Sequence, residues 1–186
     1  GFISGGQFAP DGKSIVFEGS PECLGGIGNR VPAGMTPSLI EKELYLFDLT
    51  TRQFTPLTAD FDPNILSWQW GKADGNIYAL TENRDCQDIF RIHPRSGKIE
   101  QLNLSERFVY RFDLAKEKAV LTYFGEGHSN CERLYVVDLK SGKERLIEDM
   151  DAQLMKDIEL GEFGEWNFQA ERGDTIYGRY YLPPHF

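Results

Sequence analysis

One short stretch of the sequence resembles the setting of a catalytic serine. Residues 127–131 read Gly-His-Ser-Asn-Cys, whereas a serine nucleophile on a sharp strand-to-helix turn requires Gly-x-Ser-x-Gly, because two small residues permit that turn. Here a cysteine stands where the second glycine belongs. The chain order serine, acid, histidine is not met either, since only Phe186 follows His185 and His93 lies in a predicted turn. We expect no Ser-Asp-His triad, no catalytic residue and no peptidase activity in this chain alone.

Charged residues in two loop stretches, one of which includes residues 127–131, are candidates for binding. The stretches "ENRDCQD" and "GEGHSNCER" supply Arg84, Asp85, Glu126 and His128. An arginine there would bind a peptide carboxylate or carbonyl group, and a glutamate would bind a free amino terminus. We identify these four residues as candidates for contact with a substrate or a neighbouring domain. The alternative is that they face solvent without a partner, because surface charges are common.

The cysteines do not form a metal-binding pattern. No two of Cys23, Cys86 and Cys131 lie two to four residues apart, as paired zinc ligands in one loop do. Cys86 and Cys131 lie at equivalent points of a repeat described below, which should separate them beyond the reach of a disulfide. We expect inert thiols, no metal and no cofactor, with a disulfide framework as the alternative.

Tryptophans and carboxylates raise the separate possibility of carbohydrate chemistry. Trp68 and Trp70 alternate along a predicted strand and therefore point to one side of it, which favours packing between sheets over a sugar platform. Asp60, Asp62 and Glu82 include carboxylates from which a glycosidase pair could be drawn. The separation of the two carboxylates decides that chemistry, and a sequence does not supply it. A glycoside hydrolase therefore stays a third hypothesis.

Composition excludes some partners. The 186 residues carry a net charge of -9, which argues against a nucleic acid or an anionic membrane surface, because both are bound largely through lysine and arginine. No apolar run approaches the roughly 18 residues of a membrane span. An apolar content of 40% is ample for a folded core.

The most informative feature is an internal repeat of 45 residues. Three segments align without gaps, "LYLFDLTTRQ", "IFRIHPRSGK" and "LYVVDLKSGK", which begin at Leu44, Ile89 and Leu134. Each segment predicts a strand, a polar turn and a second strand, and each follows another predicted strand pair. Asp-Gly at residues 11–12 and 74–75 supports tight turns between such strands. Each unit therefore predicts four short antiparallel strands, which is the period of a propeller blade.

We predict an all-β fold of about three blades, at residues 1–58, 59–103 and 104–149. The runs "LYLF" and "LYVV" are apolar on both faces, as expected for a sheet packed between neighbouring sheets; a sandwich is the alternative. Closed propellers have four to eight blades. Three blades leave open flanks, so we expect further sequence, a second chain or the final segment to cover them, with self-association as one result.

Two regions fall outside the repeated pattern. Residues 21–42 form an insertion rich in glycine and proline within the first unit, predicted as a long flexible surface loop. Helix is expected only near Asp151. Residues 150–186 form a linker and a predicted hairpin, "EWNFQAE" and "TIYGRYYLP", that is out of register with the repeat.

These features together resemble the prolyl oligopeptidase family of serine peptidases, in which a β-propeller precedes an α/β-hydrolase domain. The resemblance rests on "FAPDGKSIVF" at residues 8–17, on "LYLFDL" and "LYVVDL", and on the hairpin that ends in "YYLPP" at residues 180–184. It spans nearly the whole chain and is of the dipeptidyl or acylaminoacyl peptidase type.

The resemblance implies a function for a larger parent protein. The final hairpin would lead into a hydrolase domain beyond residue 186 that carries the catalytic residues. The propeller would gate that domain and bind short peptides, so its partners would be a peptide substrate and the hydrolase domain. The resemblance to this family also implies an extracytoplasmic location, with a cytoplasmic location as the alternative.

Two observations limit this reading. The helix-borne glutamate pair of dipeptidyl peptidase IV-like members is not recognisable in the sequence, so an aminodipeptidase specificity lacks support. Propellers of TolB-like proteins carry similar "PDGK" turns. A TolB-like module that binds proteins without enzymatic activity is therefore the alternative function.

Overall fold

The computed structural model describes residues 1–36, 38 and 40–186, and it consists almost entirely of strands. The first unit contains β1 (Ile3–Phe8), β2 (Ser14–Gly19), β3 (Glu43–Asp48) and β4 (Phe54–Pro56). The second contains β5 (Asn64–Trp70), β6 (Ile77–Asn83), β7 (Cys86–Ile92) and β8 (Ile99–Gln101). The third contains β9 (Phe108–Leu114), β10 (Val120–Glu126), β11 (Arg133–Asp138) and β12 (Lys143–Asp149).

Each unit folds as an antiparallel meander of four strands in sequence order. The second and third units are also joined by one parallel backbone pair, Gln87 with Phe108, which merges them formally into one sheet. The strands lie within the predicted blade limits, while the division into folding domains stays a prediction. The fold is therefore all-β, with three four-stranded blades of an incomplete propeller.

Side-chain packing holds the three sheets together, with the one parallel pair between the second and third units as the backbone contribution among the described residues. A buried cluster around Val16, Leu44 and Ile77 lies between the first and second units. A second cluster, around Ile89 and Leu121, lies between the second and third units. Each fully buried aliphatic side chain contributes roughly 1.5–3 kcal/mol to folding. Stacking therefore supplies most of the stability that a lone four-stranded sheet lacks.

The two strand tryptophans pack in the first of these clusters. Trp68 is 7% exposed and Trp70 is 8% exposed. The Nε1 of Trp68 donates to Glu18 Oε1 at 2.9 Å, and the Nε1 of Trp70 donates to the Gly75 carbonyl oxygen at 3.1 Å. Both rings are thus used for packing, as their alternation predicted, and neither offers an open face to a sugar.

The segment after the third unit contains one short helix and ends in a separate hairpin. The helix α1 (Ala152–Met155) lies where the sequence predicted it, and a 3-10 turn (Cys23–Gly25) lies in the insertion. Strands β13 (Phe163–Gln169) and β14 (Thr175–Tyr181) pair along their whole length. The large apolar and aromatic residues of the hairpin are between 40% and 61% exposed. The hairpin thus presents an apolar surface that the described residues do not cover.

The turns between the third and fourth strands of each unit show why the repeat has its particular residues. In the third unit Gly142 has φ 70, and in the second Gly97 has φ 70, but the first unit places Arg52 there at φ 59. A side chain is unfavourable in this left-handed region. The Asp48 carboxylate holds the strained turn by accepting hydrogen bonds from the backbone of Thr50 and Thr51, both at 2.8 Å.

We predict that Arg52→Gly stabilises the chain by about 1 kcal/mol and that Gly142→Ala destabilises it by about as much. The first change removes a side chain from the left-handed turn position, and the second adds one at the equivalent position. Urea unfolding measures both. Lys140→Gly in the third turn is the control, since Lys140 lacks a positive φ and should gain nothing. Equal effects of Arg52→Gly and Lys140→Gly would contradict the argument.

Candidate functional site

The hairpin contacts the blades through one buried arginine of β14. The Nε of Arg179 lies 2.5 Å from Asp85 Oδ2, and its Nη2 donates to Cys86 Sγ at 3.0 Å. Its Nη1 donates to His128 Nδ1 at 3.0 Å, and its guanidinium lies 5.0 Å from the centre of the Phe108 ring. The side chain is only 10% exposed. Arg179 therefore joins the hairpin to loops of both the second and the third unit.

His128 completes this contact with its ring. The ring centre lies 4.0 Å from that of Phe163 in β13, and Phe108 meets it edge-on at 5.3 Å. Because the guanidinium of Arg179 has only donors, His128 Nδ1 must be the acceptor and carry no proton. Burial and then the positive charge of Arg179 lower the pKa of His128. The contact is thus made by the neutral imidazole.

Asp85 is held as a carboxylate in the same cluster. Burial opposes ionisation, but the hydrogen bonds and charge of Arg179 outweigh it, so the pKa of Asp85 is lowered. Asp85 is the second residue of a two-residue turn between β6 and β7, closed by the pair Asn83 and Cys86. This tight turn aims the carboxylate at the hairpin because the backbone leaves it little freedom.

Arg84 is the first residue of that turn and has φ 61, a conformation in which glycine is preferred. Its guanidinium lies 4.6 Å from the ring centre of Tyr177 in β14, which is a cation–π distance. A residue kept in a strained conformation commonly serves a function that the strain supports. The role of Arg84 stays a prediction, and its position at the hairpin is what the structure adds.

Glu126, the fourth candidate, lies apart from this contact. It ends β10 opposite Phe108 and lies beside Tyr110. Burial and then the Glu126 carboxylate raise the pKa of Tyr110 to about 12. The structure therefore brings Arg84, Asp85 and His128 to the hairpin, while Glu126 faces another neighbour.

A polar cavity of about 330 Å³ lies between the blades and the hairpin. Its walls carry charged and amide side chains from both sides: Arg84, Asp85 and Arg107 from the blades, and Glu165, Asn167 and Tyr177 from the hairpin. Guanidinium groups bind carboxylate and carbonyl oxygens, often with two parallel hydrogen bonds. The cavity is suited to a small polar ligand, and hereafter we call it the hairpin cavity.

Sequence reasoning missed two residues of this site, Arg107 and Arg179. Arg107 Nη2 donates to Cys86 Sγ at 3.3 Å, and its Nε lies 3.5 Å from Asp88 Oδ1. Arg107 lies in the connection between the second and third units, and its position in a loop was the signal in the sequence that could have indicated it. Nothing in the sequence pairs Arg179 with the β6–β7 turn, because their contact is tertiary.

The histidines are not arranged for nucleophilic catalysis. His93 Nε2 lies 2.9 Å from Glu100 and His185 Nε2 lies 3.1 Å from Glu159, while His128 binds Arg179. His93 is thus paired with a carboxylate and is not simply solvated. None of these contacts joins a histidine to a serine hydroxyl, as a catalytic pair requires.

The three cysteines are free. No group of three or more acidic, histidine or cysteine side chains able to hold a metal ion occurs in the part of the chain that the structure describes. Across the same residues, no helix has the length and apolar character needed to cross a bilayer.

The fold is that of a partial β-propeller, and solved structures with the same architecture include propeller regions of peptidases. Acylaminoacyl peptidase of Pyrococcus horikoshii superposes with a TM-score of 0.66 at 18% identity, over 94% of this chain and 24% of that one. The β-propeller domain of the Trilobed protease of Pyrococcus furiosus gives 0.54 at 18% identity, over 75% and 36%. TolB of Acinetobacter baumannii gives 0.52 at 20% identity, over 77% and 32%.

Sequence comparison alone adds no assignment. No protein-family model matches the sequence, and no curated protein matches it either. The chain spans about a quarter of the length of the acylaminoacyl peptidase that it resembles. The structural likeness therefore supports the predicted fold and leaves activity to be proposed.

We predict that the hairpin loosens from the blades as the pH falls below about 6.5. The pKa of His128 is lowered in the folded chain, so the contact is complete above the usual histidine pKa of about 6.5 and is lost as protonation places an imidazolium beside Arg179. Hydrogen-exchange protection of residues 163–181 at pH 7.5 and 5.5 measures this change.

The control variant is His128→Phe, which keeps a ring between Phe108 and Phe163 but does not titrate. Its hairpin should show equal protection at both pH values. A wild-type hairpin as protected at pH 5.5 as at pH 7.5, or a variant with the same pH dependence as the wild type, would refute the role of His128.

Proposed function

We propose that this chain is the non-catalytic propeller part of a serine peptidase that hydrolyses short peptides. In this proposal it gates or binds the substrate for a hydrolase domain outside the chain. The observation that carries the proposal is the extent of the structural match. The last 37 residues form a fifth of the chain, so a match to acylaminoacyl peptidase over 94% of it must include most of the hairpin segment.

The hairpin itself supports the proposal in a second way. Seven of its large apolar and aromatic side chains are at least 40% exposed, and contiguous exposed apolar surface usually marks an interaction site. Arg179 anchors the hairpin to the blades. A hairpin fixed on one side and apolar on the remainder is what a domain junction requires.

A TolB-like module that binds protein partners without catalysis is the second candidate. The match to TolB has a TM-score of 0.52 and covers only 77% of this chain, which the three repeated units alone nearly account for. The hairpin therefore favours the peptidase, while the blades favour neither candidate.

Substrate contact is assigned in this proposal to the hairpin cavity. It lies on the side of the blades where the hairpin docks, so a domain that continues from the hairpin would face it. Arg84 and Arg107 would bind a carbonyl or carboxylate oxygen of a short peptide. Asp85 would act indirectly, by holding Arg179 and hence the hairpin.

The test begins with the full reading frame that encodes this chain. We expect it to continue for about 200 residues, the size of one further domain, and to contain Gly-x-Ser-x-Gly. A fluorophosphonate should label the full-length protein, should fail to label its Ser→Ala variant at that motif, and should fail to label residues 1–186. A full-length protein without labelling would reject the peptidase and leave the binding module.

We predict that Arg84→Gly in the full-length protein raises KM for short chromogenic peptides about tenfold with kcat within about twofold, because it removes a charged hydrogen-bond donor worth about 1.5–3 kcal/mol. Glycine suits the turn at φ 61, so folding should not suffer. Arg52→Gly is the matched control. It also replaces an arginine of positive φ, here 59, by glycine, but on a turn at the opposite end of the strands. Equal KM values for the two variants would exclude Arg84 from the site.

A further inference from the structure

A second cavity, of about 360 Å³, lies where the insertion of the first unit meets the connection to the second unit. The insertion and the start of β3 contribute Arg30, Glu41, Lys42 and Glu43 to its wall, the connection contributes Asp60, and the start of β5 contributes Asn64. This position in the repeat corresponds to that of the hairpin cavity. The proposed peptidase function makes no use of it.

Glu43 carries an unexplained buried oxygen in this wall. The residue is 9% exposed, and its Oε2 is buried without a hydrogen-bond donor among the described residues. The nearby Tyr45 hydroxyl partly lowers the pKa of Glu43, but a hydroxyl has a single proton to donate, and the Ser20 carbonyl oxygen accepts it at 3.0 Å. Burial raises the pKa of Glu43 to about 7. Such a group is costly in a folded protein unless something supplies a donor.

The insertion is shaped around this carboxylate. A Cβ at Gly28 would lie 2.3 Å from Glu43 Oε2 and 2.2 Å from the Tyr45 hydroxyl oxygen. Only glycine fits there, because either contact is far shorter than packing allows. The loop therefore covers Glu43 closely instead of leaving it to solvent.

Asn64 supplies a second acceptor of the same kind. Its Oδ1 is buried and has no donor among the described residues. Its Nδ2 donates to Glu82 Oε2 at 3.3 Å, and this contact fixes the orientation of the amide, because only the nitrogen can donate to a carboxylate. Two acceptors without donors thus lie in the wall of one cavity.

The charge of the wall favours a cation. Arg30 Nε is paired with Asp60 Oδ1 at 3.0 Å, and Lys42 Nζ is paired with Glu18 Oε2 at 3.5 Å. The basic side chains of the wall are therefore already neutralised. The carboxylates of Glu41, Glu43 and Asp62 remain in excess, so the cavity is electrostatically complementary to a positive ligand.

We propose that this cavity binds a primary ammonium group through Glu43 and Asn64. An ammonium group offers three donors and no acceptor in a compact volume, which matches two acceptor oxygens beside an excess negative charge. A metal ion matches less well, since no cluster of three metal-ligating side chains occurs within the described ranges. The ammonium belongs to a peptide amino terminus or to a lysine-like side chain.

The test is calorimetric titration of the 186-residue chain at pH 7.5 with three probes. Triglycine amide carries an ammonium at its amino terminus, Nα-acetyl-lysine amide carries one on its side chain, and N-acetyl-triglycine amide carries none. At least one of the first two should bind and the third should not, and the difference between the first two identifies the source of the ammonium. Binding of neither ammonium probe, or equal binding of the acetylated peptide, would overturn the proposal.

Variants distinguish ligand binding from a structural role. Glu43→Gln keeps the shape of the side chain and removes its buried charge. It should therefore raise the dissociation constant of the ammonium probe at least tenfold without lowering thermal stability. Asn64→Ala should weaken binding by a smaller factor. Glu41→Gln, which removes an exposed charge of the same wall, should change it less than threefold. Unchanged binding in Glu43→Gln, or stabilisation by CaCl₂ or KCl with no binding of either ammonium probe, would also refute the site.

The outcome is separate from that of the peptidase proposal. The titration uses the 186-residue chain and needs no hydrolase domain or catalytic activity. Failure of serine labelling in the full-length protein therefore leaves the ammonium site standing, and failure of the titration leaves the peptidase proposal standing.

Discussion

The structure depends on the fact that each four-stranded sheet has two apolar faces and can bury neither of them alone. Leu44 and Tyr45 are adjacent in β3, point to opposite faces, and are both fully buried. A sheet of this kind needs a neighbour on each side, because water on either face would cost about 25 cal/mol for each Å² of apolar surface. Stacked copies of the 45-residue repeat meet this need where two units face each other, and the insertion, through Cys23 and Ile27, meets it on the face of the first unit that carries Tyr45. The positions of the turns and cavities follow from that stacking.

Much of the fold could be predicted because the signals for it are local. Apolar runs on both faces predicted stacked sheets, and the Asp-Gly turns predicted hairpins. The alternation of Trp68 and Trp70 correctly predicted that both would pack between sheets. Arg52 shows how a repeat aligns positions of different chemistry, since a left-handed turn tolerates arginine in one copy where two others have glycine. The local sequence pattern predicts where the turn lies but does not predict that its backbone is strained in the first unit.

The candidate site could be predicted only from one side. The loops that carry Arg84, Asp85 and His128 were recognisable because connections of one kind gather at one end of the stacked sheets. The hairpin residue that they hold, Arg179, was not recognisable, because its partners are more than 50 residues away. The buried oxygens of Glu43 and Asn64 that lack a donor were even harder to predict. These oxygens lack donors because of how the folded chain arranges its hydrogen bonds, and that arrangement cannot be read from the sequence.

The single backbone pair between Gln87 and Phe108 has a mechanical meaning. Within a sheet, separating two strands breaks a ladder of hydrogen bonds, so the sheet behaves as a stiff plate. Between the second and third sheets the contact consists of packed side chains and a few hydrogen bonds, such as those that Gln69 makes with the backbone of Phe112 and Leu114. Tilting one sheet against its neighbour therefore breaks fewer hydrogen bonds than separating two strands of one sheet, so a cleft between two sheets can change its width while each sheet keeps its internal shape.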